Sequence, residues 1–455
     1  MYTILGAGLS GISTSYHLGH NSCIVFEEKN YLGGHINSEY KNGFVWDEGP
    51  HVSFTNNLYV KNLFNKSLKG DFLEYPVFPT NYFNGIWIPH PAQSNLYALP
   101  AQMRIDCLND FLKMREENND DVLPTNYEEW LNIAFGKTFA AKFPAVYTKK
   151  YWTTDALNLS IDWVGERVFF PDIETVKKGF EKPLEQSTHY IKSVRYPNNN
   201  GFIAYSKMIS ENQKTCLNHK VQKIDLDNRF IFFSNGKVHK FEKLISTLPL
   251  PEFIKFCNPP ESILNAAEEL TCSQLLLINL EINHPSIRTE HWLYVYDEDK
   301  YSTRVNFTDL LSLNNAPVGK SGIQVEVYFS KYRPQKEPVE NIINKVSKEL
   351  IEMGLILSES SIENIHTKFV PYANVVFDLS YKKNLNKILN WLSDFGLNRE
   401  DDDLHPITNW ENKFQEKKYF GDIILAGRYA QWKYYWTDDC ILRGKYISEN
   451  LNDNN

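Results

Sequence analysis

No stretch of this 455-residue sequence approaches the roughly 18 to 20 uninterrupted apolar residues that a membrane-spanning helix needs, so membrane insertion is not expected. Little precedes the strand-like run Tyr2 to Leu5, which leaves no room for a leader and makes a cytoplasmic protein the default expectation. Paired cysteines are missing as well. Cys23, Cys107, Cys216, Cys257, Cys272 and Cys440 are scattered, with no C-x-x-C spacing. That pattern argues against a zinc ribbon or a dithiol redox centre, so free, mostly buried thiols and no metal site are expected. Nor is there a basic excess: 48 Lys and Arg against 56 Asp and Glu leave a net charge of −8, unfavourable for nucleic acid or anionic membrane. An anionic small molecule would have to be held by a few local arginines. Internal repeats, low-complexity tracts and long linkers are also lacking.

What remains is a folded chain too long for one ordinary core, 42% hydrophobic and 14% aromatic, able to enclose a large cofactor. It opens with a strand (Thr3 to Leu5), a glycine-rich turn (Gly6 to Gly11), a helix (Ile12 to Leu18) and a second strand (Cys23 to Phe26), one βαβ unit with short connections. Helical spacing of apolar residues marks Gln102 to Lys113, Tyr127 to Phe135 and Ala140 to Tyr147. Strand-like runs follow at Lys220 to Ile224, Phe230 to Phe233 with the turn Asn235-Gly236, and Leu244 to Thr247. Further strands are expected at Leu275 to Leu280, Trp292 to Tyr296 and Ile323 to Phe329, then a helix at Val339 to Met353. A buried strand at Asp422 to Gly427 and a helix at Asp438 to Leu451 close the chain. The fold class read from this pattern is α/β. A Rossmann-type domain is built from residues 1–98, 191–270 and 401–455, a mainly helical insertion spans 99–190, and a second, antiparallel sheet domain spans 271–400.

Gly6-Ala7-Gly8-Leu9-Ser10-Gly11 fits G-x-G-x-x-G between a strand and a helix, where missing side chains let the backbone approach a pyrophosphate at a helix N-terminus. Glu27 follows at the end of the second strand, placed to accept hydrogen bonds from a ribose. That grip serves NAD and FAD alike. Next come Leu32-Gly33-Gly34 and then Asn42-Gly43-Phe44-Val45-Trp46-Asp47-Glu48-Gly49-Pro50-His51. This combination resembles the FAD-binding segment of amine oxidases, protoporphyrinogen oxidases and UDP-galactopyranose mutases, so FAD is favoured over NAD. The resemblance implies a cofactor set of Gly6, Gly8, Leu9, Ser10, Gly11, Glu27, Glu28, Gly33, Gly34, His35, His51, Val221, Arg428 and Asp438, with His51 beside the flavin.

Later segments resemble the eukaryotic-type UDP-galactopyranose mutases in particular: Tyr147-Thr148-Lys149-Lys150-Tyr151-Trp152 with Trp163-Val164-Gly165-Glu166-Arg167, the run Trp87 to Asn95, Trp292-Leu293-Tyr294 with Arg304 ten residues on, and Gly427 to Tyr434. The resemblance implies substrate contacts from Gln93, Trp152, Arg167, Tyr294, Arg304 and Tyr434, with His51, Arg167 and Arg304 serving catalysis. Guanidinium groups suit a diphosphate because they bind it bidentately. Lys149 and Lys150 are expected in solvent. In the mutases the reduced flavin N5 attacks the anomeric carbon, the nucleoside diphosphate leaves, and reclosure through another hydroxyl changes the ring size. The resemblance therefore implies a pyranose–furanose mutase of a nucleotide-diphosphate sugar, charged by NAD(P)H or another reductant, serving cell-surface polysaccharide synthesis, with assembly into identical copies allowed.

Departures from the mutase pattern cluster where specificity is made. His90 and Ala92 replace aromatic residues, Thr148 and Asp438 stand where Asn is usual, and Asn374-Val375 stands where a Tyr-Pro is expected. They point to a nucleotide sugar other than UDP-galactopyranose. Two other readings stay open: a net oxidoreductase of the amine oxidase or protoporphyrinogen oxidase type, and a flavin-binding protein without catalysis.

Overall fold

A computed structural model describes residues 1–117, 123–184, 188 and 191–452. The expected boundary at residue 190 lies outside them. Tyr2–Leu5 is the centre of a five-stranded parallel sheet whose order is Ile423–Leu425, Lys243–Ser246, Tyr2–Leu5, Cys23–Phe26, Thr215–Cys216. Its strands are short apolar runs because helices or loops cover both faces, leaving no solvated side to demand alternation. The helices Leu9–Leu18 and Thr437–Asn452 pack on each other over this sheet, so the first and last elements of the chain meet. An antiparallel ribbon, Val221–Asp225, Phe230–Phe233 and Val238–Lys240, turns at Asn235-Gly236 as its sequence predicts.

The second sheet has seven strands in the order Ile362–Val375, Cys272–Ile282, Ser321–Phe329, Arg304–Phe307, Trp292–Val295, Thr80–Phe83, Ile86–Pro89. All neighbours are antiparallel except Trp292–Val295 with Thr80–Phe83, which run parallel. Two of these strands come from the stretch 1–98 that the sequence pattern assigns to the Rossmann domain. The reason is non-local: the hairpin around Asn84-Gly85 finds its partner more than two hundred residues away, which local periodicity does not encode. The long edge strand Ile362–Val375 escapes the sequence pattern because its burial alternates poorly and Pro371 interrupts it.

The insertion is helical, with Ala101–Glu117, Tyr127–Phe135, Lys137–Lys142, Pro144–Tyr151 and Ile173–Glu181 gathered around Phe111, Leu131, Phe135, Phe139 and Phe143. Phe143 also packs 4.8 Å from Phe83 and 5.4 Å from Tyr296, which seats the helix Pro144–Tyr151 against the seven-stranded sheet. Among the described residues no helix is long and apolar enough to cross a membrane, and no cluster of three His, Cys, Asp or Glu could hold a metal ion. The six cysteines are unpaired, three of them buried and three half-buried.

Behind the parallel sheet lies a buried ionic network. Arg443 is bidentate to Glu400 at 2.9 and 2.6 Å and also donates to the Leu425 carbonyl at 2.8 Å. Lys413 bridges Glu400 and Asp402, and Lys433 reaches Asp402 at 2.7 Å. Burial alone would raise the Glu400 pKa, but Arg443 and Lys413 outweigh it and bring it from 4.5 down to about 2. An unfolded Glu400 protonates near pH 4.5 while the folded one stays ionised, so the network stabilises fully above that pH and loses its contribution as pH falls towards 2. Glu400→Gln is expected to cost about 3 kcal/mol at neutral pH. Urea midpoints from pH 3 to 7 should show the variant losing less stability on acidification than the parent; parallel curves would contradict this account.

Candidate functional site

The glycine-rich turn is closed by backbone contact. Gly6 N–H donates to the Phe26 carbonyl at 2.8 Å, and a Cβ on Gly11 would fall 2.0 Å from the Gly6 oxygen, so only glycine allows the turn. Leu9 and Ser10 are buried at the start of the helix, whose N-terminus faces the turn. Gly33 N–H donates to the Ala7 carbonyl at 2.9 Å and Gly33 bridges Gly8, so the second glycine pair forms the opposite wall of the same cradle with Gly34. Glu27 is buried, accepting from Ala7 N–H at 2.7 Å and Lys29 N–H at 2.9 Å, and thereby sets the edge of the cradle. Glu28 is exposed. Val221 is buried two residues past His219, whose N–H donates to the Glu27 carbonyl at 2.8 Å. A cradle free of side chains at a helix N-terminus, beside a buried carboxylate, suits the diphosphate and ribose of a dinucleotide.

From the cradle the chain runs to the turn at Gly49-Pro50-His51. His51 donates from Nδ1 to the Gly49 carbonyl at 2.9 Å, and its ring packs on Phe202. Burial pushes its pKa down to about 4, so the imidazole is neutral at physiological pH with Nε2 as an acceptor. His35 bonds Glu48 at 2.8 Å and its ring lies 5.2 Å from Tyr429. Glu48 also pairs with Lys368 on the edge strand, and although burial opposes it, His35, Lys29 and Lys368 bring the carboxyl down to about 2. This pair ties the turn to the second sheet.

Arg304 stands opposite. Its Nε and Nη2 each meet a carboxylate oxygen of Glu326 at 2.7 Å, and the Tyr328 hydroxyl donates to the same carboxylate at 2.8 Å. Glu326 is 1% exposed and Arg304 22%, so the fork is gripped from behind, and among the described residues no protein group accepts from its Nη1. A Cβ on Gly49 would lie 3.5 Å from Glu326 Oε1 and 4.0 Å from His51 Cε1, so the carboxylate that holds Arg304 borders the His51 turn. Tyr294 accepts from Trp292 Nε1 at 3.0 Å and its ring meets His90 at 4.8 Å and Tyr147 at 5.4 Å. On the other flank Arg167 donates to the Tyr434 carbonyl at 2.8 Å and stacks 3.8 Å from the Trp436 ring and 4.5 Å from Tyr434. Arg428 lies 4.9 Å from the Tyr434 ring with its Nε buried. A Cβ on Gly427 would strike Ser10 Oγ at 2.5 Å, so the turn carrying Arg428 rests directly on the helix that opens the cradle.

Several expected contacts take other roles. Trp152 is 4% exposed and packs on Trp163 at 5.0 Å and Tyr434 at 5.6 Å, so it supports a tyrosine from the core and presents no open face to a ligand. The Gln93 amide donates to the Phe169 carbonyl at 3.4 Å, tying down a loop. Asp438 lies in the first turn of the last helix, and it is the neighbouring Asp439 that is tied in, accepting from Trp410 Nε1 at 2.7 Å and Trp436 N–H at 2.6 Å. Lys149 pairs with Glu298 at the surface as expected, whereas Lys150 is 1% exposed. Its ammonium donates to the carbonyls of Val295 (3.1 Å), Asp297 (2.7 Å) and Ser302 (2.8 Å), because the loop between the Tyr294 and Arg304 strands turns three acceptors inward. Glu326 and Tyr328 carry no local sequence signal, and Tyr147 and Tyr151 enter the sequence reading only as members of the Tyr147-to-Trp152 motif, where their i, i+4 spacing puts them on one helix face.

With this geometry in view, the chain defines a class: a dinucleotide-binding Rossmann domain joined to a sheet-and-helix unit, with arginines and tyrosines lining the cleft. The family profile described as an NAD(P)-binding Rossmann-like domain matches residues 4–67. Among solved structures the chain is similar to reduced UDP-galactopyranose mutase, with a TM-score of 0.88, 22% identity, and coverage of 100% of this chain and 94% of the other. It is also similar to a protein from Exiguobacterium sp. 255-15 provisionally described as a protoporphyrinogen oxidase (TM-score 0.68, 13% identity, coverage 100% and 99%). A conjugated-linoleic-acid-producing (CLA) fatty acid isomerase from P. acnes gives 0.64, 11% identity, and coverage of 99% and 98%. The fold is that of UDP-galactopyranose mutase and of the oxidases built like it, as the sequence resemblance implies.

Two outcomes follow. Gly11→Ala should leave purified protein with less than about a tenth of the parent's bound dinucleotide, measured by heat release and chromatography; undiminished retention would refute the cradle. Lys150→Met strands three buried carbonyls and should cost about 2–4 kcal/mol in urea denaturation, against under 0.5 kcal/mol for a solvated lysine.

Proposed function

We propose that this chain is a flavin-dependent pyranose–furanose mutase acting on a nucleotide-diphosphate sugar, with FAD in the glycine cradle. The observation that carries the reading is Arg304. A guanidinium held by a buried carboxylate that borders the His51 turn, with one nitrogen that has no acceptor among the described residues, is built to meet an anion at the end of the cradle. When bound, reduced FAD would supply the nucleophile for the anomeric carbon. The chain's own residues bind and orient around that carbon. Arg304 takes the charge that develops on the departing diphosphate, and Arg428 and Arg167 flank it through Tyr434. Tyr294 and Tyr434 add neutral polar groups, and the stacked Tyr147 and Tyr151 wall off water. His51 keeps its proton on Nδ1, bonded to Gly49, and offers Nε2 to a hydroxyl. The reaction is redox-neutral, so a reductant is needed only to charge the cofactor.

The departures from the mutase pattern divide in two. Ala92, Thr148 and Asn374 are buried, at 1%, 3% and 4% exposure, whereas His90 packs its ring against Tyr294. His90 therefore supports a sugar nucleotide other than UDP-galactopyranose. An apolar or cationic substrate, as for a net oxidase, would leave Arg304 without a partner for its free nitrogen. Dithionite-reduced protein screened against nucleotide sugars should give a product of equal mass, and Arg304→Ala should lower kcat/KM by roughly 100-fold or more. Turnover with oxidised flavin, accompanied by stoichiometric peroxide, would replace this reading with an oxidase.

A further inference from the structure

Tyr147 and Tyr151 leave the helix Pro144–Tyr151 on one face, their rings stacked 5.7 Å apart. On one side Tyr151 packs 4.9 Å from Tyr328, whose hydroxyl holds the Glu326 carboxylate that grips Arg304. On the other side its hydroxyl donates to Asn374 Oδ1 at 3.1 Å. Asn374 follows an irregularity in the pairing of Cys272–Ile282 with Ile362–Val375, where the register shifts between Ser273 and Leu275. The neighbouring Ala373 carbonyl accepts from the hydroxyl of Tyr429, the residue next to Arg428. The Tyr151 phenol thus lies between the strand bearing Arg304 and the turn bearing Arg428. Burial pushes its pKa up, so it is a neutral donor throughout the physiological range. Asn374 is 4% exposed, and among the described residues no protein group accepts from its Nδ2.

We propose that Tyr151 is a ligand-binding residue that donates its hydrogen bond to a phosphate oxygen of a diphosphate seated between Arg304 and Arg428, with Asn374 accepting that hydrogen bond when no anion is bound. This deepens the reading of the cleft as a diphosphate-sugar site and rests on it. A phenol between two guanidinium groups adds a directed donor without a third charge, and Asn374 fixes its rotor before the anion arrives. No bond to the sugar is needed, so the contact is independent of the nucleotide base.

The test uses FAD-loaded, oxidised protein titrated with inorganic pyrophosphate by calorimetry, with melting temperature and flavin content measured for each variant. Tyr151→Phe keeps the ring on Tyr328 and should weaken binding about tenfold or more. Asn374→Ala frees the hydroxyl and should bind within about threefold of the parent. Binding by Tyr151→Phe within about twofold of the parent, or an equal loss in both variants, would overturn the proposal while Arg304→Ala still upholds the diphosphate site. Should Tyr151→Phe fail to fold, Asn374→Ala decides alone: retained binding supports the proposal and a tenfold loss overturns it. If the parent binds neither pyrophosphate nor UDP, the diphosphate reading itself falls.

Discussion

The cleft depends on keeping cationic side chains still in surroundings that disfavour charge. Arg304 solves this with a buried carboxylate: Glu326 takes two of its donors, and Tyr328 donates to the same carboxylate, which holds it in place. The arrangement fixes the guanidinium plane at the expense of part of its charge, because a paired arginine projects a weaker field than a lone one. The other two arginines are held differently. Arg167 and Arg428 lie on the rings of Tyr434 and Trp436, whose π faces attract the cations.

How much of this was legible in the sequence follows from how local each feature is. The turn from Gly6 to Gly11, Glu27 and the pair Gly33-Gly34 form one local unit within the first forty residues, and steric demands there select glycine directly. The strand and helix periods near both termini were equally readable. Features whose partners lie far away were not. Lys150 looks like a surface lysine until the loop 295–302, roughly 150 residues on, turns its carbonyls toward it. The hairpin Thr80–Phe83 and Ile86–Pro89 carries no mark of the sheet it joins, since a strand's period of two says which faces alternate and nothing about the neighbour. Trp152 differs again: the sequence marks its motif, but only the fold shows its indole buried against Tyr151, Trp163 and Tyr434.

The buried charges behind the parallel sheet extend the same logic to the cofactor end. Arg443 reaches both Glu400 and the Leu425 carbonyl, two residues before Gly427, so the strand that delivers Arg428 is anchored from the last helix. That helix lies on Leu9–Leu18, and Gly427 lies on Ser10. The C-terminal motif and the glycine turn, more than four hundred residues apart, are thereby one packed unit. Hydrophobic contact alone would tolerate sliding between them, whereas bidentate ion pairs and a carbonyl bond impose a single register.

The second sheet is fixed to the helical insertion by a different device. Lys150 ties the helix that carries Tyr147 and Tyr151 to the loop joining the Tyr294 and Arg304 strands, so the phenol wall and the guanidinium floor are set by one ammonium group. Glu48 and Lys368 then fasten that sheet to the turn before His51. Each half of the cleft is consequently rigid within itself, and the halves meet through paired charges whose geometry is defined. For the proposed mutase, a diphosphate arriving between them would find donors already oriented. Its binding energy would not be spent on ordering arginine side chains, each of which otherwise loses about 2 kcal/mol of rotamer entropy, and could act where charge develops on the leaving group.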